Sequence, residues 1–387
     1  MPTAPLSPSP GTSRLERLIW LLAAVMVAVF LTCLHLTTTA PFKLTTFHRL
    51  VTFNAVEPFQ HRVLLPAIVA GLQVYLPLGE KLLFGLLEIG GWVVLIVLAY
   101  RALVLFEIGR YDLMRRVLAF TVVIPMFMHL IAPDLQLVSA FVADNERFDV
   151  GTWQPRALFY YVYDLPAALF VFAMTLTLAR YARAPARRYM ALYFLLFMIG
   201  TFNRETTVFM LGFFLLLFAT RMPWHRLALL LIVQAALFVA IQWPLNWLFA
   251  DNVNPNAQLV GTQYENHFIA NLVLLSNPLY LLTFVARFAA GLYLPVLLWH
   301  RSLDRRLAMA LIGFGLPLIF FALLAGRVQE QRIFIEVVPL IWLAAMQVIS
   351  ARGATAQPLE QGAYASDRPV AVPLPAVDAR ERPDPAR

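Results

Sequence analysis

The sequence predicts an all-α protein, a polytopic transmembrane helical bundle, and three observations carry that prediction. The 387 residues are 60% hydrophobic and only 13% charged, against roughly 25% charged in an ordinary soluble domain. The apolar residues gather in runs close to the roughly 20 residues that a helix needs to cross a bilayer. The loops between the runs alternate between arginine-rich and acidic, and short loops rich in Lys and Arg are retained in the cytoplasm. About ten crossings and one interfacial or re-entrant helix follow from this count. The net charge of +8 is almost all arginine, and much of it falls in loops placed inside, so it speaks for topology and anionic lipid, and against nucleic acid as a partner.

Residues 1–13 carry Pro2, Pro5, Pro8 and Pro10 among Ser and Thr, and are expected to be a disordered cytoplasmic tail. Residues 14–350 form the bundle, which opens outward in a cavity. The first crossing runs from about Leu18 to Leu36. Arg14 and Arg17 precede it and no small-residue cleavage site follows, so it reads as an uncleaved anchor. It holds Cys33, the one cysteine, which excludes an intrachain disulfide.

Thr37 to Arg62 is an outer loop. Val63 to Leu78 is apolar but only about 16 residues long, and only one crossing fits before the cytoplasmic Arg110, Arg115 and Arg116. Leu82 to Ala99 is the better crossing, so 63–78 is expected to lie along, or dip into, the outer interface. Val117 to Leu137 goes out, and an acidic loop with Asp144, Glu146 and Asp149 follows. Leu158 to Ala179 returns, and Tyr160, Tyr161 and Tyr163 at its start suit an interfacial belt.

A short hairpin comes next. Gly200-Thr-Phe-Asn203-Arg204-Glu205-Thr206-Thr207 lies in the middle of an apolar run from about Tyr189 to Thr220. The run is flanked by Arg180, Arg183, Arg187 and Arg188 on one side and by Arg221 and Arg226 on the other. Both flanks read as cytoplasmic, so the chain leaves and returns. Each arm has about 14 residues, roughly 21 Å at 1.5 Å per residue, short of a hydrocarbon core of about 30 Å. Asn203, Arg204 and Glu205 therefore sit at a tip sunk below the outer surface, where charges mark a functional site. A structural Arg204–Glu205 pair is the competing explanation.

Leu227 to Phe249, Asn277 to Trp299, Leu307 to Ala325 and Ile333 to Ser350 complete the crossings, with Arg287 near the middle of the second. Residues 351–387 carry Pro358, Pro369, Pro373, Pro375, Pro383 and Pro385, and are expected to be a second disordered cytoplasmic tail. Both termini are thus expected inside a bacterial inner (plasma) membrane.

On this topology acidic residues fall almost wholly outside, and orientation rules do not explain such a skew, because Asp and Glu contribute little to them. Asp164, Glu205 and Glu336 have apolar flanks and need partners; Arg62, Arg204 and Arg332 approach from the same side. A charged cavity at the bilayer rim suits a substrate with a lipid tail and an anionic head, since Arg grips phosphate at two points and stays charged when partly desolvated. Glu88 and Arg287 lie at membrane depth as well, where an interhelical pair or a snorkelled side chain would also account for them. No phosphate-binding glycine loop or dinucleotide fingerprint is present. The seven histidines lack metal-ligand spacing; no cofactor is expected, and a divalent cation stays open.

The combination Glu57-Pro-Phe-Gln60-His61-Arg62-Val-Leu-Leu-Pro66, Asn203-Arg204-Glu205-Thr206 and Glu330-Gln-Arg332-Ile-Phe-Ile-Glu336 resembles a group of bacterial polytopic proteins and, more distantly, the GT-C class of membrane glycosyltransferases. The likeness spans most of Thr37 to Pro339. It implies a donor of polyprenyl-phosphate sugar, Glu57 as base or metal ligand, and Arg204 and Arg332 as phosphate contacts. Asp164 and Glu205 are the further catalytic candidates, and Gln60, His61, Arg62, Asn203, Gln329 and Glu336 join the substrate-binding set. The expected reaction moves a sugar to a glycan, lipid or protein acceptor on the outer face, as part of envelope polysaccharide synthesis. A glycan polymerase, a transporter or flippase of a lipid-linked glycan, and a non-catalytic assembly subunit are the alternatives. Transporters commonly show internal repeats and a midplane site between broken helices.

Overall fold

The computed structural model describes residues 14–42, 44–56, 59–130, 159–252, 267–326, 328 and 330–356. Among them the fold is helical, with one two-residue parallel pairing in which Ala40 faces Phe159 and Pro41 faces Tyr160. Seven of the described helices are long and apolar enough to cross a membrane: Arg14–Thr38, Glu80–Leu105, Asp112–Leu130, Asp164–Arg183, Trp224–Leu248, Arg305–Ala325 and Gln331–Gly353. The pair Phe268–Ser276 and Pro278–Gly291 is apolar enough together but bends by 101° at its break. Leu64–Tyr75 is a helix of 12 residues, too short at about 18 Å to span.

The protein is built for a membrane rather than for water. Ile232, Trp243 and Trp247 are 64%, 73% and 78% exposed on the Trp224–Leu248 helix, and similar apolar surface covers the other outer helices. Soluble monomers rarely expose apolar patches beyond a few hundred Å². Inside, the Gln331–Gly353 helix is the central post and the Asp164–Arg183 helix its main neighbour, with 72% and 61% of their apolar windows buried against 17% for Trp224–Leu248.

The chain does double back at the Asn203–Glu205 tip. Arg187–Asn203 climbs to it, a 3-10 turn over Glu205–Phe209 follows, and Met210–Phe218 descends. Tyr193 on the first arm stacks on Phe214 of the second, with ring centroids 5.6 Å apart. At the arms' other ends Arg221 Nη1 reaches the Ala182 carbonyl at 3.5 Å. The descending arm lies so close to Leu311–Gly315 that a Cβ on Gly313 would stand 2.6 Å from the Phe213 Cα. Close helix approach of this kind needs a residue without a side chain.

The arginine-rich loops converge on one end. Arg183 pairs with Glu107 and Arg116 with Asp112. Arg306 reaches the Ala179 carbonyl and lies 4.8 Å over the Phe106 ring. Trp20 donates to the Arg116 carbonyl and the Gln347 side chain accepts from Asp304 N–H, so the first helix starts and the last one finishes at this end.

Three local expectations change. The segment expected to cross from Asn277 to Trp299 is broken. Asn277 caps the Pro278–Arg287 helix through Leu279 and Tyr280 N–H, and Pro278 bars a straight continuation from the helix before it. The chain breaks again at Ala289 and Ala290, both in the left-handed region (φ 47° and 54°), leaving Arg287 beside the interruption. Tyr160, Tyr161 and Tyr163 are not an interfacial belt: all three are buried, because each ring is taken up by a charged partner described below. The Leu307–Ala325 crossing contains a π-helical turn over Leu311–Gly315, at the close approach to the hairpin.

Candidate functional site: a buried ion-pair cluster at the end opposite the arginine loops

Four chain segments meet at this end: the Phe59–His61 turn, the Tyr160–Asp164 segment, the hairpin tip and the Gln331–Val337 turn. The tip supplies two charges that diverge. Arg204 is extended (φ −161°, ψ 138°) and Glu205 opens the following 3-10 turn, so neighbouring side chains point to different partners.

Arg204 faces inward. Its Nη1 lies 3.4 Å from Asp164 Oδ1 and its Nε 3.2 Å from Glu336 Oε1, the latter an ion pair without hydrogen-bond alignment. Glu336 also accepts from Thr206 Oγ1, at 2.8 and 2.7 Å to its two oxygens. The side chains of Asp164 and Glu336 are 1% exposed and that of Arg204 is 5% exposed. This is the closed floor of the site.

Glu205 faces Arg62. Arg62 Nη2 donates to Glu205 Oε1 at 2.6 Å and Arg62 Nε to Oε2 at 3.2 Å, a two-point contact of planar groups. Arg332 donates through Nη1 to Asp164 Oδ2 at 3.4 Å and through Nη2 to Glu330. Glu205 and Glu330 keep 36% and 38% of their side-chain surface exposed. These two pairs are the rim above the floor.

Aromatic rings carry the rim arginines. The Arg332 guanidinium carbon is 3.5 Å from the Tyr161 ring centroid and that of Arg62 is 4.4 Å from Tyr163. Phe59 stacks on Tyr161 at 5.4 Å and 15°. Burial works against the charge of Arg62, but the Glu205 carboxylate outweighs it and its pKa is raised. Burial pushes the Tyr161 hydroxyl up to about 12, with Arg332 pulling the other way, so the ring beneath Arg332 stays neutral. Three arginines and four carboxylates thus interlock, each acid held by an arginine.

Every described member of the predicted set is at or beside this cluster. Arg62, Asp164, Arg204, Glu205, Arg332 and Glu336 make it. Asn203 braces it by donating from Nδ2 to the Tyr163 carbonyl at 3.1 Å. Gln60 is fully buried and accepts from Ala55 N–H at 2.8 Å. His61 lies 6.3 Å from the Phe249 ring. Glu57 and Gln329 lie outside the described residues. The Arg204–Glu205 pair does not form; each has found a partner elsewhere in the chain.

Sequence reasoning gave Tyr161 and Tyr163 to an interfacial belt rather than to this site, and gave Thr206 no role of its own. No local signal marked the tyrosines as supports for arginines: the chain turns at Tyr161–Asp164, where Asp164 N–H donates to the Tyr161 carbonyl, and the placing of both rings is set by packing. Several buried polar atoms here have no hydrogen-bond partner among the described residues: Gln60 Nε2, Asn203 Oδ1, Tyr163 Oη and both side-chain ends of Gln331. A buried polar atom without a protein partner is costly.

A second polar group lies deeper. Glu88 Oε1 is 2.8 Å from His35 Nδ1 and accepts from Trp92 Nε1 at 3.2 Å, while Oε2 accepts from Tyr160 at 2.6 Å. Glu88 is thus an interhelical partner, and it anchors the tyrosine segment from below.

No family model matches this chain, and neither does any curated protein or solved structure.

Proposed function

We propose that the chain is a membrane glycosyltransferase moving a sugar from a polyprenyl-phosphate donor to a glycan, lipid or protein acceptor on the outer face of a bacterial inner membrane. The observation that carries this reading is the pair of ring-backed rim arginines, Arg62 and Arg332, whose carboxylate partners are partly exposed. A phosphate entering from the rim can exchange with Glu205 or Glu330 for the same two-point contact. Arg204 is enclosed by Asp164 and Glu336, so its part is to hold the floor. In the reaction the acceptor hydroxyl oxygen bonds to the anomeric carbon as the bond from that carbon to the phosphate oxygen breaks. The phosphate leaves with the electron pair and its charge is met by the rim arginines. The hydroxyl proton passes to a carboxylate. Asp164 and Glu205 already spend their oxygens on arginines, which leaves Glu57 as the preferred base.

The architecture we propose is GT-C-like with ten crossings: the seven long helices, the bent pair as one and the two hairpin arms. The arginine-loop end, with both chain termini, is assigned to the cytoplasm. The bent pair and the left-handed break beside Arg287 favour one competing reading, a transporter of a lipid-linked glycan, because broken helices are frequent at transport sites. Incubating the purified protein with labelled polyprenyl-linked sugars, with and without divalent cation, separates them. Consumption of the donor with release of polyprenyl phosphate supports the transferase; movement of intact donor across vesicles without turnover supports the transporter and sinks the transferase.

A further inference from the structure

Glu88 sits eight residues into the Glu80–Leu105 helix, about 12 Å along its axis at 1.5 Å per residue. Both of its oxygens are engaged. Oε1 stands 2.8 Å from His35 Nδ1 and accepts from Trp92 Nε1 at 3.2 Å, and Oε2 accepts the Tyr160 hydroxyl at 2.6 Å. Among the described residues its ionic partner is His35.

We propose that Glu88, acting through Tyr160, is a positioning residue that sets the grip of the rim arginines on the donor phosphate. The role rests on the transferase reading above and extends it to a residue outside the ion-pair cluster.

Stability alone does not account for an acid at this depth. Replacing buried charged groups by well-packed apolar ones is often neutral or stabilising, and an ionisable side chain inside the membrane marks function by default. A buried polar network whose members are satisfied rigidifies what it touches. Here it touches Tyr160, which is held in three ways. The hydroxyl is on Glu88, the backbone lies opposite Pro41, and the ring centroid is 4.5 Å from that of His35 and 5.3 Å from that of Phe47.

The residues that follow Tyr160 support the site. The Tyr161 ring carries Arg332 and the Tyr163 ring carries Arg62. Asp164 accepts from Arg332 and from Arg204 at 3.4 Å each, and Asn203 holds the Tyr163 carbonyl from the hairpin side. The bond from Tyr160 to Glu88 therefore ties the start of this support to a crossing helix, as Asn203 ties its end to the tip. Where the two rings stand decides where the two guanidiniums stand, and a binding group must be held to within about 0.5 Å to keep its geometry.

The test is the affinity of the folded full chain for polyprenyl phosphate, read beside KM for a polyprenyl-linked sugar donor. Tyr160→Phe keeps the ring and removes one hydrogen bond, and should weaken binding and raise KM by roughly three- to tenfold. Glu88→Gln should stay close to wild type, because its Oε1 still faces His35 and Trp92 while its Nε2 donates to the Tyr160 hydroxyl. Trp92→Phe removes another bond to Glu88 without touching Tyr160, and should leave affinity unchanged even where it lowers the melting temperature. Added to Arg332→Lys, Tyr160→Phe should cost less affinity than it does alone, since both act on one arginine; independent losses would multiply. Should Tyr160→Phe fold poorly, Glu88→Met removes the same contact from the other side and is read in the same way. Wild-type affinity in the folded variant, or full multiplication of the two losses, would overturn the positioning role and leave the transferase reading standing. Wild-type protein that neither binds polyprenyl phosphate nor consumes the donor would sink that reading, and this role with it.

Discussion

The guanidinium carbon of Arg332 stands 3.5 Å from the centroid of the Tyr161 ring, although 171 positions separate them in sequence. The ring holds the cation in place while Glu330 and Asp164 take its N–H groups. An arginine so positioned can trade a carboxylate for a phosphate without losing its support, and this ties packing to binding.

Arg332→Lys keeps the charge but loses the planar two-point contact. Donor turnover should fall by about tenfold or more, with the melting temperature changed by only about 2 °C. Unchanged turnover would remove Arg332 from the donor site.

Arg204 behaves differently because it is enclosed. Arg204→Met leaves Glu336 buried without a cation and Asp164 with Arg332 alone, and should destabilise the protein by about 3–5 kcal/mol, read as a large drop in melting temperature. Exchanging the residues at 204 and 205 should not restore it, since Arg204 meets Asp164 and Glu336 whereas Glu205 meets Arg62. Recovery in the exchanged variant would mean the two neighbours pair with each other.

Glu57→Gln tests the base. Folding and donor binding should persist while turnover falls by roughly 10²–10⁴. A stable variant with normal turnover would shift the proton acceptor to Asp164 or Glu205.

Gly313→Ala probes the hairpin's support. A methyl group there would stand 2.6 Å from the Phe213 Cα, so the descending arm must move, at a cost of about 1–3 kcal/mol. The tip moves with its arm, so stability and turnover should fall together. A variant with wild-type melting temperature and turnover would show that the arm has slack.

Reporter fusions at Arg110, Arg187, Arg221 and Arg305 should all read cytoplasmic, and those at Asp144, Asp251 and Gln329 external. An external signal at Arg221 would contradict the hairpin, whose ends lie together through the Arg221 to Ala182 bond.

The sequence by itself determined where the chain is apolar for long enough to cross, where it turns back and which charges lie near the turns. Run length and flanking arginines are local properties, and the short arms on either side of Asn203–Glu205 could be read from them. The break inside 277–299 was less legible: Pro278 was visible, but the left-handed pair at Ala289 and Ala290 has no residue-type signal. Only the tertiary structure decided the pairing of charges. Adjacent Arg204 and Glu205 offer an obvious local pair, yet one turns to Asp164 and Glu336 and the other to Arg62. The same holds for Tyr161 and Tyr163, which composition assigns to an interface and packing places beneath two arginines. The reason is energetic. A buried charge is tolerated only with a partner at contact distance, and which partner stands there depends on how helices from distant parts of the chain pack, which no short window of sequence contains.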